Sequence, residues 1–375
     1  MLSMSISTFM ASAALLRMMP TRRHAAAIAQ QTEVVNVTPD KDHVYYNEYD
    51  TFSQQQGMLQ DIVRTSVYQF AMLENTGDFE AKTVLDVGAG TGILSFFAAQ
   101  AGAKRVYAVE ASGMAAKAET LIVANGKQDV IKVLNQKVEE VELDERVDVL
   151  ISEPLGVALV HERMLESYFR ARDAHLKPGG KMFPSESTLY AAPFSDEALY
   201  HEQYTKAAFW AKPHFFDVDL SALHEEALAF YCSMPVVGQI APQTICAQPT
   251  GKRFDFTTMS IEQLQKFEIP FSFAVGAIAQ IHGIALWFDC TFPGSQQKVV
   301  LDTSPNAPLT HWQQVRCLLQ HPLVLGQGHV LSGKLVFETN EARGYTIHMT
   351  LVNDNTRAEA TSTVVTQMWT GAGRG

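Results

Sequence analysis

Cysteine is scarce and scattered. Cys232, Cys246, Cys290 and Cys317 are the four in 375 residues, and none forms a CxxC pair. That excludes the common zinc spacing, so no metal site is expected, and it reads as reduced thiols in an intracellular protein. Basic residues are also outnumbered, with 29 Lys and Arg against 40 Asp and Glu and a formal net charge of -11. A chain whose main ligand is nucleic acid would want a basic face, so basic partners are expected instead. Residues 1–31 hold no Asp or Glu, several Ser, and Arg17, Arg22 and Arg23. This composition fits an organellar transit peptide. A secretory signal fits it less, because the positive charge follows the apolar run. The alternative is a disordered extension with no targeting role. The run before Arg17 is shorter than the ~20 residues that span a bilayer, and no membrane partner is expected. There are no internal repeats.

What is there is apolar: 47% hydrophobic against 18% charged residues, enough for two domains and a substantial core. Residues 43–80 read as helical, with Met58, Ile62 and Val63 at helical spacing. Strand and helix then alternate. Strands are expected at 82–88, 105–110, 130–135 and 147–152. Helices are expected at 92–102, 112–126 and 162–176, the last closed by "KPGG" at 177–180. Such alternation makes a parallel α/β sheet with helices on both faces. From about residue 235 the chain becomes short runs of Val, Ile, Phe and Thr broken by Gly and Pro, which read as an antiparallel β sandwich or barrel. The boundary is placed near residue 185.

"VLDVGAGTG" (84–92) follows a strand and opens a helix. Gly88, Gly90 and Gly92 make GxGxG, not the GxGxxG of nicotinamide enzymes. Asp86 lies just before the turn. Glu110 ends the next strand, where a carboxylate can accept both hydroxyls of a ribose. S-adenosyl-L-methionine has no phosphate to cradle, so the looser spacing is tolerable for that cofactor. NAD is the competing cofactor, and a tight turn with no ligand is the plain structural reading.

"ISEPLGVALVHERMLESY" (151–168) sets Glu153 and Glu162 in an apolar stretch. Two facing buried carboxylates are costly and raise each other's pKa, and a bound cation would offset that cost.

The motifs "VLDVGAGTGILSFFAAQAGA", "YAVEAS", "KVEEV", "ISEPLG", "HERMLESY", "MFP" and "PLTHWQQVRCLL" occur in that order. On them the chain resembles a type I protein arginine N-methyltransferase, most similar to the coactivator-associated branch, over roughly residues 43–350. The resemblance implies a seven-strand Rossmann-like methyltransferase domain at 43–185. It implies a β-barrel domain at 186–370 with an inserted helical dimerisation arm about 194–230 that carries Phe209 and Trp210. Residues 1–42 are left as an extension and 371–375, with Arg374, as a tail. The implied reaction moves methyl groups from S-adenosyl-L-methionine to arginine guanidinium, giving mono- and asymmetric dimethylarginine. The implied substrates are histone tails or Arg-Gly-rich RNA-binding proteins, met by a homodimer in nucleus and cytoplasm.

Residue by residue, the resemblance puts Arg64 on the cofactor's carboxylate, Gln54 or Gln55 beside it, and Val138, Glu139 and Ser167 around the adenine. Glu153 and Glu162 become the guanidinium grip. His311 and Asp61 become a proton relay, with a structural His–Asp hydrogen bond as the alternative. Tyr45, Tyr49, Met58, Met164 and Trp312 become the substrate pocket. Without the motifs, Asp61 and Arg64 read as an i,i+3 surface pair and the methionines as core. Leu155 and Val157 replace the family's usual Met and Tyr, which removes an aromatic wall and implies weaker or altered activity. His161 stands where a small polar residue is common. The alternative function is a catalytically weak partner subunit that activates a related enzyme.

Overall fold

The computed structural model describes residues 45–46 and 48–366. The expected extension at 1–42 and the tail with Arg374 lie outside the described residues. Among the described residues no helix is long and apolar enough to cross a membrane.

Five strands, β1 (Thr83–Val87), β2 (Arg105–Val109), β3 (Ile131–Leu134), β4 (Val147–Ser152) and β5 (Leu176–Phe183), form one sheet in the order β3-β2-β1-β4-β5. All its pairs are parallel. Every residue of β1 is buried, as its apolar run "TVLDV" requires at the centre of a two-sided sheet. Parallel neighbours need crossovers. Here α4 (Ile93–Gln100), α5 (Met114–Ala124) and α6 (Met164–His175) supply three of them. Before the sheet come α1 (Phe52–Gln60), α2 (Ile62–Leu73) and the single turn α3 (Thr76–Phe79).

Two expectations are corrected here. The parallel sheet has five strands, not seven. After β5 the chain passes Pro184, which has no N–H for a ladder, and enters β6 (Glu186–Phe194) of a different, antiparallel sheet. "KPGG" does not close a helix either. It lies inside β5, where pairing jumps from Val147↔Leu176 to Val149↔Lys181, so its turn chemistry is used for a bulge.

The antiparallel part holds β7 (Val236–Gly238), β8 (Thr250–Asp255), β9 (Lys266–Ala274), β10 (Ala279–Pro293), β11 (Lys298–Asp302), β12 (Gln314–Leu325), β13 (Val330–Thr339), β14 (Tyr345–Asn353) and β15 (Glu359–Val365). One sheet runs β7-β12-β10-β6-β8 with β11 on β10; the other runs β15-β14-β13-β9. They meet with β12 beside β15 and β8 beside β9. Strict alternation in β9 buries Phe267, Ile269, Phe271 and Phe273 between them. Helices α7 (Glu197–Ala208) and α8 (His224–Ser233) form a second apolar cluster on Ala192, Ala285, Trp287 and Leu318. The segment joining them exposes Phe209, Phe215 and Phe216, the last at 88%. The short α9 (Ile261–Gln265) starts with a capping box on Ser260.

Asn75, fully buried between α2 and α3, joins the two sheet systems. Its Nδ2 donates to the Ala71 and Gln297 carbonyls at 2.8 Å each, and its Oδ1 accepts from the Gln296 and Gln297 N–H at 2.9 and 2.8 Å. Asn75→Ala would remove the partner of the Ala71 carbonyl and of three backbone groups of Gln296 and Gln297. It should lower unfolding stability by about 2–4 kcal/mol in urea titration, and a loss under about 0.5 kcal/mol would show that water replaces the amide.

Candidate active site

Strand order reverses between β1 and β4, and the loops leaving β1, β2 and β4 converge there. Gly88, Gly90 and Gly92 have φ of 70°, 55° and 81°, the region glycine enters without penalty. The turn is also closely roofed. A Cβ on Gly88 would stand 2.6 Å from the Met164 methyl, and one on Gly90 2.7 Å from Gln55 Oε1. Glu110 is buried at the end of β2 and accepts from the Gly90 and Ser112 N–H at 2.8 Å each, which leaves acceptor capacity on both oxygens. Of the two glutamines, Gln55 faces the turn and Gln54 is bound to Glu48 at 2.7 Å. Ser167 donates to Glu139 at 2.8 Å, next to buried Val138.

Asp86 departs from its expected role as a cofactor ligand. It is fully buried, accepts from Ser95 Oγ at 2.7 Å and leaves Oδ1 without a partner. Burial pushes it up to about 7. The side chain braces β1 against α4 and has no surface on the crevice.

The loop after β4 turns back on itself. Gly156 N–H donates to the Leu159 carbonyl at 2.9 Å, and a Cβ on Gly156 would lie 1.9 Å from the His161 carbonyl oxygen. Ala158, Leu159, Glu162 and Arg163 have φ of 49°, 68°, 71° and 60°. Such residues cost roughly 1–3 kcal/mol each and persist only where neighbours enforce them. Trp312 Nε1 does so by donating to the Leu155 carbonyl at 2.7 Å, and Thr366 Oγ1 lies 3.2 Å from His161 Nδ1.

This strain brings Glu153 and Glu162 into one buried space. Tyr49 OH donates to Glu162 Oε2 at 2.5 Å. Burial pushes Glu162 up to about 7; the Tyr49 hydrogen bond pulls against that, and the charge of Glu153 adds to it. Burial also holds Tyr45 and Tyr49 well above the ordinary phenol range, so both stay donors. Tyr45 OH reaches Met164 Sδ at 3.9 Å. Glu153 Oε2 receives Arg64 Nε and Nη2, both at 3.1 Å, and Oε1 accepts from Leu155 N–H at 3.1 Å. Arg64 therefore lies on Glu153, where a cofactor carboxylate was expected. Its remaining contacts, to the Met58 carbonyl and Thr65 Oγ1, are long at 3.4 Å.

His311 and Asp61 meet across the two sheet systems. Asp61 Oδ2 accepts from the His311 backbone N–H at 2.8 Å and lies 2.7 Å from Nδ1, while Oδ1 caps α2 through Arg64 N–H at 2.9 Å. Burial alone would raise Asp61, but the His311 and backbone hydrogen bonds outweigh it and hold it below its ordinary value. An ionised Asp61 fixes the proton on Nδ1 and leaves Nε2 as the open nitrogen. Trp312 is corrected from pocket wall to buttress. It is 2% exposed and packs its ring 4.0 Å from that of His311 and 5.5 Å from that of Phe288.

One contributor had no sequence signal. Arg343, in the turn after β13, lies 4.3 Å over the Tyr45 ring and draws Glu162 downward. Nothing in "NEARGY" marks a site residue. Among the described residues no group of three or more His, Cys, Asp or Glu could hold a metal ion.

The model of the arginine methyltransferase oligomerization subdomain matches residues 185–354, and that of a methyltransferase domain matches residues 84–180. A probable histone-arginine methyltransferase CARM1 of Oryza sativa subsp. indica is 50% identical over 311 residues, 82% of this chain and 58% of that protein. The histone-arginine methyltransferase CARMER of Drosophila willistoni is 46% identical over 342 residues, 91% of this chain and 63% of that protein. The chain thus spans less than two thirds of the length of these relatives. Among solved structures, a Trypanosoma brucei PRMT1 enzyme-prozyme heterotetrameric complex with AdoHcy superimposes with a TM-score of 0.78 at 31% identity, over 85% of this chain and 100% of that one. Arabidopsis thaliana protein arginine methyltransferase 10 gives 0.77 at 30% identity, over 86% and 99%. The likeness runs through both sheet systems and the junction between them, which makes the chain a member of the protein arginine methyltransferase family.

Proposed function

We propose that the protein methylates arginine side chains of proteins, histones foremost, with S-adenosyl-L-methionine as donor and mono- and asymmetric dimethylarginine as products. The observation that carries this reading is the pairing of Glu153 and Glu162 in one buried space, one already on a guanidinium and the other on Tyr49. A domain division at 43–185 and 186–370 belongs to the same reading.

The crevice suits the donor. Glu110 retains acceptors for two ribose hydroxyls, and the Ser167–Glu139 pair with Val138 offers a polar edge and an apolar face for a purine. Gln55 roofs the turn, and Arg64, held by Glu153, can supply a cation to a carboxylate. When bound, S-adenosyl-L-methionine supplies an electrophilic methyl on a sulfonium.

The chain's own residues do the rest. Glu153 and Glu162 hold the substrate guanidinium by charge-assisted hydrogen bonds and draw its positive charge toward the nitrogens they bind. The remaining terminal nitrogen then regains lone-pair character. Tyr49 fixes the orientation of Glu162, and Tyr45 with Met164 closes the space over the turn. Catalysis is therefore positioning plus electrostatics. His311 Nε2, oriented by Asp61, takes the proton released afterwards. Met58 and Met164 leave room for a second methyl on one nitrogen. Val157 supplies no hydroxyl to the site, which bears on substrate preference. The weak-partner role has no structural feature in its favour, since both acids and their supports are in place.

A homodimer follows from the exposed Phe209, Phe215 and Phe216 of the α7–α8 arm. Histone substrates place the action in the nucleus. Arg-Gly-rich RNA-binding proteins and a cytoplasmic pool extend the same chemistry, and residues 1–31 carry the option of organellar targeting.

Incubation with labelled donor and a histone-tail peptide, read by mass spectrometry, should place methyls on arginine. Glu162→Gln is cleaner than Glu153→Gln because Glu162 does not touch Arg64. It should lower kcat/KM by roughly 10²–10³-fold with cofactor Kd unchanged within about twofold, and retained turnover would sink the mechanism. Protonated Glu162 grips a cation less well, so kcat/KM should rise with pH and level off above about 7. Tyr49→Phe removes a hydrogen bond that favours the carboxylate and should move that midpoint upward; an unmoved midpoint would assign the titration to another group. Phe209→Asp with Phe216→Asp should convert the dimer to a monomer by sedimentation velocity.

A further inference from the structure

The face of β10 turned away from Trp312 opens on a cleft of about 750 Å³ that shares no residue with the acid loop. Side chains alternate along a strand. Trp287 and Asp289 line the cleft, while Phe288 between them packs on Trp312. In the floor Tyr190 is opposite Trp287, and Asp289 is opposite Asp302 of β11. The walls are residues 245–249 and 304–306.

The electrostatics of this floor are one-sided. Among the described residues no lysine, arginine or histidine lines the cleft. Like charges directly opposite in an antiparallel pair destabilise it. Asp289 accepts from Thr188 N–H at 3.0 Å and Tyr190 OH at 2.8 Å, and Asp302 from Ser304 N–H at 2.8 Å and Oγ at 3.1 Å. All four donors are neutral, and among the described residues neither carboxylate has an ion pair. The cations on the neighbouring ladder, Arg253 and Lys298, are both on Glu186. The Tyr190 and Trp287 rings lie 6.2 Å apart and 22° from parallel; Trp287 is 6% exposed, so the aromatic surface at the cleft is mainly that of the half-buried Tyr190, a kind of surface that attracts cations. Among the described residues β11 pairs with β10 alone, and Val300 at the cleft is 46% exposed.

We propose that this cleft takes a lysine or arginine side chain of the protein substrate, at a point on its chain remote from the arginine being methylated. A positive group relieves the Asp289–Asp302 repulsion, meets the aromatic surface and comes from the kind of polypeptide that an acidic enzyme attracts. The proposal rests on the arginine-methyltransferase reading and extends its substrate recognition.

Kinetics of the full chain with a whole histone and with an arginine peptide of about five residues separate the two readings. Asp289→Asn with Asp302→Asn should raise KM for the histone roughly tenfold at unchanged kcat, and should leave the short peptide unaffected. Val300→Lys tethers an ammonium at the mouth without removing any hydrogen bond of the fold. It should act in the same way, and it keeps the test decisive where the double variant folds poorly. Histone KM values equal to wild type overturn the proposal, as does a parallel loss with both substrates in Val300→Lys. If the wild type methylates neither substrate, the arginine-methyltransferase reading fails, and the cleft is then judged by calorimetry with an oligoarginine peptide. Binding weakened by Val300→Lys supports the cleft; absent or unchanged binding overturns it.

Discussion

Everything at the site depends on a backbone turn in an unfavourable conformation. The loop after β4 enters the left-handed region at four non-glycine residues and presses Gly156 against the His161 carbonyl. Only that path sets Glu162 beside Glu153. The loop cannot hold it alone, and its supports come from the antiparallel sheets: Trp312 on the Leu155 carbonyl and Thr366 beside His161. The antiparallel sheets thus shape the candidate site without contributing either acid.

The two acids have different surroundings. Glu153 is neutralised within the protein by Arg64, whereas Glu162 accepts a hydrogen bond from a phenol and is raised by burial. Of the pair, one acid thus has a charged bonding partner inside the protein and the other a neutral one. Asp86, one strand away, is also raised by burial but sealed from the crevice. Two acids that burial raises therefore have unrelated roles, and exposure to the crevice separates them.

The sequence made much of this legible. The apolar runs of β1, β2 and β4 and the alternation of β9 were readable because burial on two faces and on one face leaves different periods. The glycine turn, Glu110 and the acid pair were readable because their spacing is local. β5 hid behind "KPGG", whose turn propensity went into a bulge. Arg64, Asp86 and Trp312 were identified as site residues but given other partners, since side-chain direction depends on contacts far away in the chain. Arg343 left no trace, because a charged residue in a surface turn looks the same whether or not it reaches a tyrosine.

Asp61 ends α1, starts α2 and orients His311 with the same carboxylate. The bend between those helices and the imidazole's tautomer are therefore one interlocked device. Tyr49 enters from just ahead of α1, so any swing of that helix disturbs both the hydrogen bond to Glu162 and the Asp61–His311 pair.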